Sequence, residues 1–551
     1  MHEVSTVLVL LTVVTALAIA SRRLTVPYPT LMVVAGLCIA LVPGLPEVRL
    51  SPDVVFLVFL PPLLYAAAWH TPWHEFKANR KAIVMLALGL VLVTTVAVGL
   101  VAHALIPGLP LAAAFALGAI VSPPDAIAAT AIAKNLRIPR RITAILEGES
   151  LVNDATGLVA YRVSVVAMLT GSFSWNEAAL LFVLAAAGGV LVGLIVGWVI
   201  AAVHRQLDDP VIETTITLLT PFIAYLPAEA LHASGVLAVV TAGLYVRRQS
   251  NTLFSSATRL HAVAVWDSVV FLLNGLTFVL LGLELRDVVK SIGAEPFWLN
   301  VSWALAILAT TVVVRMAWIF PAALLNNLIN RHLHRRDPLP SAKHLFVIGW
   351  TGMRGVVSLA AALALPSTLL DGTPFPRRDL ILFIVFVVIL GTLVGQSLTL
   401  PWLIRRLGLA GEGRSSREQE TDARLSALSA STHYLERIAG RDAQSRDDVA
   451  WLIGHFEQQA NAVLARLEWE HPELQSSRPV STDLFVGALE AQRHRLDHMH
   501  RQGLIGDELL LQLEREIDLE ETRIRSMVRG SRDMHGTVTV RRPQIPKPPG
   551  W

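Results

Sequence analysis

The sequence predicts an all-α polytopic membrane protein. About 13 transmembrane helices, arranged as inverted repeats with two broken crossing helices, precede a C-terminal helical cytoplasmic tail. Three observations carry this. Of 551 residues, 53% are hydrophobic and 16% charged, where a soluble protein carries about 25% charged residues; the mean hydropathy is +0.55. Apolar runs long enough to span a bilayer recur as far as about residue 410. After Gly411 the chain turns charged. Residues 1–410 hold 27 Lys+Arg and 20 Asp+Glu, a net +7; residues 411–551 hold 19 and 23, a net −4; together they give the chain's +3. Two domains follow, a membrane bundle over 1–410 and a tail over 411–551.

The same figures exclude several classes. A disordered chain cannot carry this apolar content. A nucleic-acid partner would require a basic face that +3 over this length does not supply. An ordinary soluble enzyme is excluded by the low charge. Cys38 is the single cysteine, which excludes an intramolecular disulfide and a multi-cysteine metal site.

The apolar windows fall at 3–20, 28–46, 51–69, 82–106, 110–133, 142–169, 177–203, 210–227, 233–247, 262–285, 299–329, 344–366 and 379–407. The 210–247 region reads either as two short spans or as a hairpin that dips in and returns. One set of connecting loops holds 19 Lys and Arg, among them Arg22, Arg23, Arg140, Arg141, Arg335, Arg336, Arg405 and Arg406. The alternate set holds 5: Arg49, Arg286, Lys290, Arg377 and Arg378. The positive-inside rule puts the richer set in the cytoplasm, the N-terminus outside and the tail inside. The first segment lacks a basic leader and is followed by Arg22 and Arg23, so it is expected to remain as a span. No lipid-anchor motif is read at either end.

A charge at the bilayer centre costs roughly 2.5–3.5 kcal/mol on insertion scales. Charges away from span ends therefore stand out: Asp125, Glu147, Glu149, Asp154, Arg162, Asp267, Arg315 and Arg354. Asp125 follows Val121-Ser-Pro-Pro in the fifth span. Pro123 and Pro124 supply no backbone N–H, so the helix should break there and free carbonyls such as that of Val121 or Ser122. Unwound backbone at depth is tolerated where it lines an ion site or a water-filled cavity. A simple proline kink with a snorkelling carboxylate is the structural alternative.

The sixth span carries Leu146-Glu-Gly-Glu-Ser-Leu-Val-Asn-Asp-Ala-Thr-Gly157, with Asp154 near mid-depth. Ser150 and Asp154 stand four apart and share a helical face; Asn153 stands four beyond Glu149 on the neighbouring stripe. Hydroxyl and carboxylate oxygens converging on one side suit a hard monovalent cation, and the same carboxylate can instead hold a proton. A polar helix–helix contact is the alternative, more so for Asn153 than for Asp154. The twelfth span opens on Gly349-Trp-Thr-Gly-Met-Arg-Gly-Val-Val-Ser358. Its glycines disfavour a regular helix, and Arg354 keeps its charge and needs a partner. Glu149 and the negative end of a broken half-helix are the candidates. The fifth and twelfth spans cross the membrane in opposite directions, as expected of inverted repeats whose interrupted helices meet near a midplane ion site.

The remaining interior charges carry less. Asp267 either lines the cytoplasmic approach or pairs within the bundle. Arg162 stands eight residues beyond Asp154, and structural pairing is its expected role. Arg315 has no partner in the sequence reading.

Ser122-Pro-Pro-Asp125, Glu149-Ser-Leu-Val-Asn-Asp154 and Gly352-Met-Arg-Gly355 together resemble signatures of the monovalent cation:proton antiporters. Specifically, they resemble the electroneutral sodium/proton exchanger branch that includes bacterial NhaP-type proteins, over roughly residues 1–410. The resemblance implies a secondary-active antiporter working by alternating access, not an enzyme. It implies no cofactor, the transported ions being Na+ (or K+ or Li+) and H+. It further implies a homodimer in the cell inner membrane with a role in pH and cation homeostasis. Its fold has a dimerisation part and a moving core. Asp154 would be the main ion- and proton-binding carboxylate. Ser150 and Asp125 would complete the metal-ion site, with Glu149 in support through a solvent molecule and a carbonyl near Pro124 as a further ligand. Asn153 and Arg354 would stabilise the site; Asp267 and Arg162 are secondary candidates. This chain has Pro-Pro-Asp where NhaP-type members commonly have Thr-Asp-Pro, so a hydroxyl is missing. Asn153 before Asp154, in place of a second Asp, resembles the branch that exchanges one cation for one proton.

Rival readings remain. A cation channel would also line a path with carboxylates, but no Thr-Val-Gly-Tyr-Gly filter is present. An intramembrane aspartyl protease would need a Gly-x-Gly-Asp pattern that is absent. Another ion-coupled transporter is the nearest rival. The tail reads as four amphipathic helices near 417–439, 445–470, 481–503 and 507–530. Residues 531–551 are rich in proline and are expected to be disordered. His494, His498 and His500 read as a solvated helix face rather than a metal site. Regulation by docking and a role in assembly are both open to the tail.

Overall fold

A computed structural model describes residues 2–409 except 25–26, 43–51, 72, 137, 172–174, 285, 287, 290–295 and 333–340, together with scattered residues between 425 and 461 and residue 519. The chain divides into two units, Met1–Ser415 and Ser416–Trp551. In the second unit the described residues, Leu425 and Phe456 among them, are helical. The predicted helices at 481–503 and 507–530 (apart from Leu519), the histidines His494, His498 and His500, and residues 531–551 lie outside the described residues.

A helical element occupies each of the thirteen apolar windows. They are α1 (His2–Leu24), α2 (Tyr28–Ala40), α3 (Pro52–His70), α4 (Glu75–Leu105), the pair α5 (Leu111–Val121) and α6 (Ala126–Asn135), and α7 (Arg140–Thr170). There follow α8 (Trp175–His204), α9 (Pro210–Ala230), α10 (Gly235–Leu253), α11 (Ser256–Leu283) and α12 (Phe297–His332). The pair α13 (Ala342–Trp350) and α14 (Val356–Leu363) and the last helix α15 (Arg378–Arg406) complete the unit. Among the described residues 8 helices are long and apolar enough to cross a membrane, with shorter apolar stretches at Leu8–Ser21 and Tyr28–Ala40. The only extended pairing among them is an isolated bridge, Thr368 with Pro374. The protein is an all-α polytopic membrane protein.

Local chemistry sets the helix ends. Ser234, Ser255 and Ser341 each accept a backbone N–H of the first turn of α10, α11 and α13. Asp209 accepts from Val211 and Ile212 and is followed by Pro210, whose fixed φ suits the first helical position. Two windows end at charges where the helix does not. The window at 82 begins as a helix already at Glu75, and the one ending at 247 continues to Leu253. Lys, Arg, Gln and Glu favour helix, so the backbone runs through the charged turn that hydropathy leaves out. The region 210–247 forms two helices, α9 and α10.

Packing separates the bundle into two apolar clusters. The first gathers α1, α2, the start of α3, α4, α5, α6, the end of α11 and α12–α15 around residues such as Met32, Leu117, Val279 and Ile384. The second gathers α3 from Leu60 onward, the end of α8, α9, α10 and the start of α11 around Tyr65, Tyr225, Val239 and Trp266. The long α7 serves both: Ile142, Ile145 and Tyr161 belong to the first, Leu151 and Ala155 to the second. Helix α8 meets α10 through glycines. A Cβ on Gly189 would lie 2.5 Å from the main-chain oxygen of Ser234 at the start of α10, so only glycine lets the two backbones approach this closely.

Candidate functional site

The two interruptions fall where the prolines and glycines direct them, and they touch. Helix α5 stops at Val121, because Pro123 and Pro124 offer no N–H to continue it. Ser122 Oγ donates back to Ala119 O at 3.0 Å. The next N–H, that of Asp125, leaves the helix and donates to Met353 O in the other break at 2.6 Å. Helix α6 then begins at Ala126, with Asp125 Oδ1 accepting Ile127 N–H at 2.8 Å. One oxygen of Asp125 therefore caps a helix N-terminus, a role its spacing in the sequence did not reveal.

Residues 351–355 form the second break. Arg354 lies across the first one. Its Nε donates to Val121 O at 2.9 Å, its Nη1 donates to Gly352 O, and its main-chain N–H donates to Thr392 Oγ1 at 3.1 Å. The guanidinium thus sits on the carbonyl end of α5, where the helix dipole is negative. Of the two partners the sequence offers Arg354, the structure selects the half-helix end. Thr392 stands on a widened π-helical turn, Gly391–Gln396, in α15, and sequence reasoning missed it. A Cβ on Gly355 would lie 2.7 Å from Asp125 Cβ and 2.8 Å from its Cγ. Only glycine admits the carboxylate at the crossing.

Helix α7 brings the remaining groups. Asn153, fully buried, donates from Nδ2 to Pro124 O at 2.8 Å, satisfying a carbonyl the break frees. That carbonyl, expected as an ion ligand, retains a second lone pair. Ser150 Oγ lies 3.4 Å from Ala126 N at the start of α6. Asp154 is 7% exposed, and Asp125 lies within its electrostatic reach. Among the described residues no hydrogen bond or ion pair reaches the Asp154 carboxylate.

Glu149 is bound differently from the sequence expectation. Arg315 Nη1 and Nη2 donate to Glu149 Oε1 at 2.6 Å and Oε2 at 2.9 Å, and Nη2 also donates to Ile348 O at 3.2 Å. Both side chains are almost fully buried. Glu149 therefore pairs with Arg315 and not Arg354, and the unmatched Arg315 finds its partner 166 residues earlier in the chain. Two mid-span charges of opposite sign and no local partner were the available signal. Gly352 lets the Arg315 stem pass, since a Cβ there would lie 2.8 Å from Arg315 Nε.

The two secondary candidates lie away from these contacts. Arg162 forms an ion pair with Glu229 at 2.6 Å, the structural pairing the sequence favours. Asp267 is 67% exposed on its side chain, with His70 Nε2 at 3.8 Å.

Residues 8–406 match the family described as sodium/hydrogen exchanger, transmembrane. The chain belongs to the sodium/hydrogen exchanger family. With 33% identity to the Na+/H+ antiporter ApNhaP of Aphanothece halophytica over 75% of this chain and 76% of that one, this exchanger is of the NhaP-type branch of monovalent cation:proton antiporters, which are secondary transporters and not enzymes. An uncharacterized Na+/H+ exchanger of Mycobacterium tuberculosis is 35% identical over 511 residues, 92% of this chain and 93% of that one. The sodium, potassium, lithium and rubidium/H+ antiporter of Bacillus subtilis is 37% identical over 408 residues, 72% of this chain and 61% of that one. In fold, this exchanger is similar to the sodium proton antiporter MjNhaP1 from Methanocaldococcus jannaschii, with a TM-score of 0.58 at 20% identity, over 75% of this chain and 99% of that one.

Proposed function

We propose that this exchanger moves Na+ inward or outward against H+, one for one, through alternating access to a single site at Asp154. The observation that carries the reading is the crossing itself. Two interrupted helices meet backbone to backbone, the half-buried Asp125 and the buried Asp154 stand at the crossing, and Asp154 has no protein partner among the described residues. A cation or a proton can each complete it. Asp125, Ser150 and the carbonyl of Pro124 add oxygen ligands; Asn153 and Arg354 hold the frayed ends; Glu149 is anchored by Arg315.

Either load neutralises Asp154. The empty site is an anion, and carrying an unpaired buried charge through apolar surroundings costs several kcal/mol. The empty site is thereby held back, and exchange is coupled. Names of relatives that include potassium, lithium and rubidium support a site open to other alkali ions. The reading includes thirteen spans with inverted repeats, a homodimer, a place in the inner membrane, and an outside N-terminus with a cytoplasmic tail. Channel activity and transport of other solutes are not favoured by the family.

The test is pH-dye flux in proteoliposomes with a panel of alkali cations. Asp154→Asn should abolish cation-dependent proton movement while the protein still inserts and elutes as a single species. Cation-dependent proton flux retained by that variant would sink the assignment.

A further inference from the structure

The ion pair of Arg162 and Glu229 ties α7, which serves both apolar clusters, to α9 of the second. Asp154, Leu158 and Arg162 follow one another at four-residue intervals along α7, so Leu158 stands one turn beyond the ion site and Arg162 two turns, about 12 Å along the axis. Leu158 packs against both clusters. Beyond it, Arg162 Nη2 reaches Glu229 Oε2 at 2.6 Å.

Glu229 stands near the end of α9, which belongs to the second cluster. Its other oxygen is held there, because Oε1 accepts the N–H of Gly235, the first residue of α10, at 3.2 Å. A carboxylate at a helix N-terminus is favourably placed, and a Cβ on Gly235 would come within 3.0 Å of that same oxygen. The acceptor is fixed to the second cluster; the donor rides on the helix that carries Asp154. Side-chain exposures of 46% and 29% put the pair at the rim of the seam, not in its depth.

We propose that Arg162 and Glu229 are the outer latch of the transport cycle. Closed, as here, the pair and Leu158 beneath it seal the seam between Asp154 and the side to which the C-terminal ends of α7 and α9 point. For the site to open on that side, α7 must shift against the second cluster and the pair must part. Arg162 is a positioning residue: it acts on access to the site and not on the bound ion. The latch rests on the exchange reading above and on its orientation, which places those helix ends outside.

The test reads access without needing transport. In a Cys38→Ser background, Ala155→Cys, buried in the second cluster next to Asp154, serves as reporter with Leu158 left in place, and a membrane-impermeant maleimide is added to intact cells. Arg162→Gln and Glu229→Gln should each raise the labelling rate roughly fivefold, the size set by a partly exposed ion pair. The double variant should gain no more than either single one, because the two act as a unit. Arg162→Lys, which keeps a cation near Glu229, should stay close to the parent rate. Unchanged labelling in both Gln variants overturns the latch. So does an equal gain at Ala116→Cys, a position with no exposure in the parent, because that gain would report unfolding. A gain confined to inverted vesicles overturns the outer placement. Absence of exchange in the parent protein would defeat the functional reading and leave the labelling result standing.

Discussion

Replacing Arg315 with methionine tests the buried frame beneath the ion site. Arg315 makes three hydrogen bonds, two to Glu149 and one to Ile348 O, and links α12, α7 and α13. Its side chain is 1% exposed and that of Glu149 2%, so solvent cannot take over the lost contacts. Arg315→Met would strand a carboxylate among apolar groups. Removing one partner of such a pair destabilises by about 3–5 kcal/mol, whereas replacing both by apolar residues is often neutral. Arg315→Met should therefore cost about 3–5 kcal/mol, and the double variant Arg315→Met with Glu149→Leu should recover most of that loss. The assay is reversible unfolding of the purified protein by SDS titration in mixed micelles. A cost of less than about 1 kcal/mol for the single variant would refute the reasoning, since that is the worth of an exposed pair. So would a double variant as unstable as the two single ones summed.

Three further outcomes follow from the same contacts. Gly355→Ala would drive a methyl group into the Asp125 carboxylate; overpacking of about 1–3 kcal/mol should raise the apparent KM for the cation by about fivefold to a hundredfold in pH-dye flux. Asn153→Leu removes the donor to Pro124 O and leaves a buried carbonyl unpaired, which should lower stability by about 1–3 kcal/mol in SDS titration. Asp209→Ala removes the cap of α9 far from the crossing; it should cost about 1 kcal/mol in the same titration and leave exchange unchanged.

Much of the site was legible in the chain. Pro123-Pro124 announced a break, because two missing N–H groups cannot sustain a helix. Asp125, Asp154 and Arg354 stood out, because a bilayer makes every interior charge costly. The half-helix end is one of the two counterparts that the sequence offers Arg354. Less legible were the pairings. Arg315 and Glu149 lie 166 residues apart, and no periodicity joins them. Thr392 was missed because a threonine in an apolar helix has no local sign of the arginine N–H it will accept.

Sequence by itself determined the class of protein, the helical stretches, the two interruptions and the carboxylates at them. These are properties of short segments: hydropathy over a bilayer's width, proline's missing donor, the cost of a charge in apolar surroundings. Tertiary structure decided which break touches which and which carboxylate is anchored. It set Asp125 N–H on Met353 O, Arg354 on Val121 O and Glu149 on Arg315. It left Asp154 without a partner among the described residues. Such pairings depend on distances between segments far apart in the chain, which are set only when the helices pack.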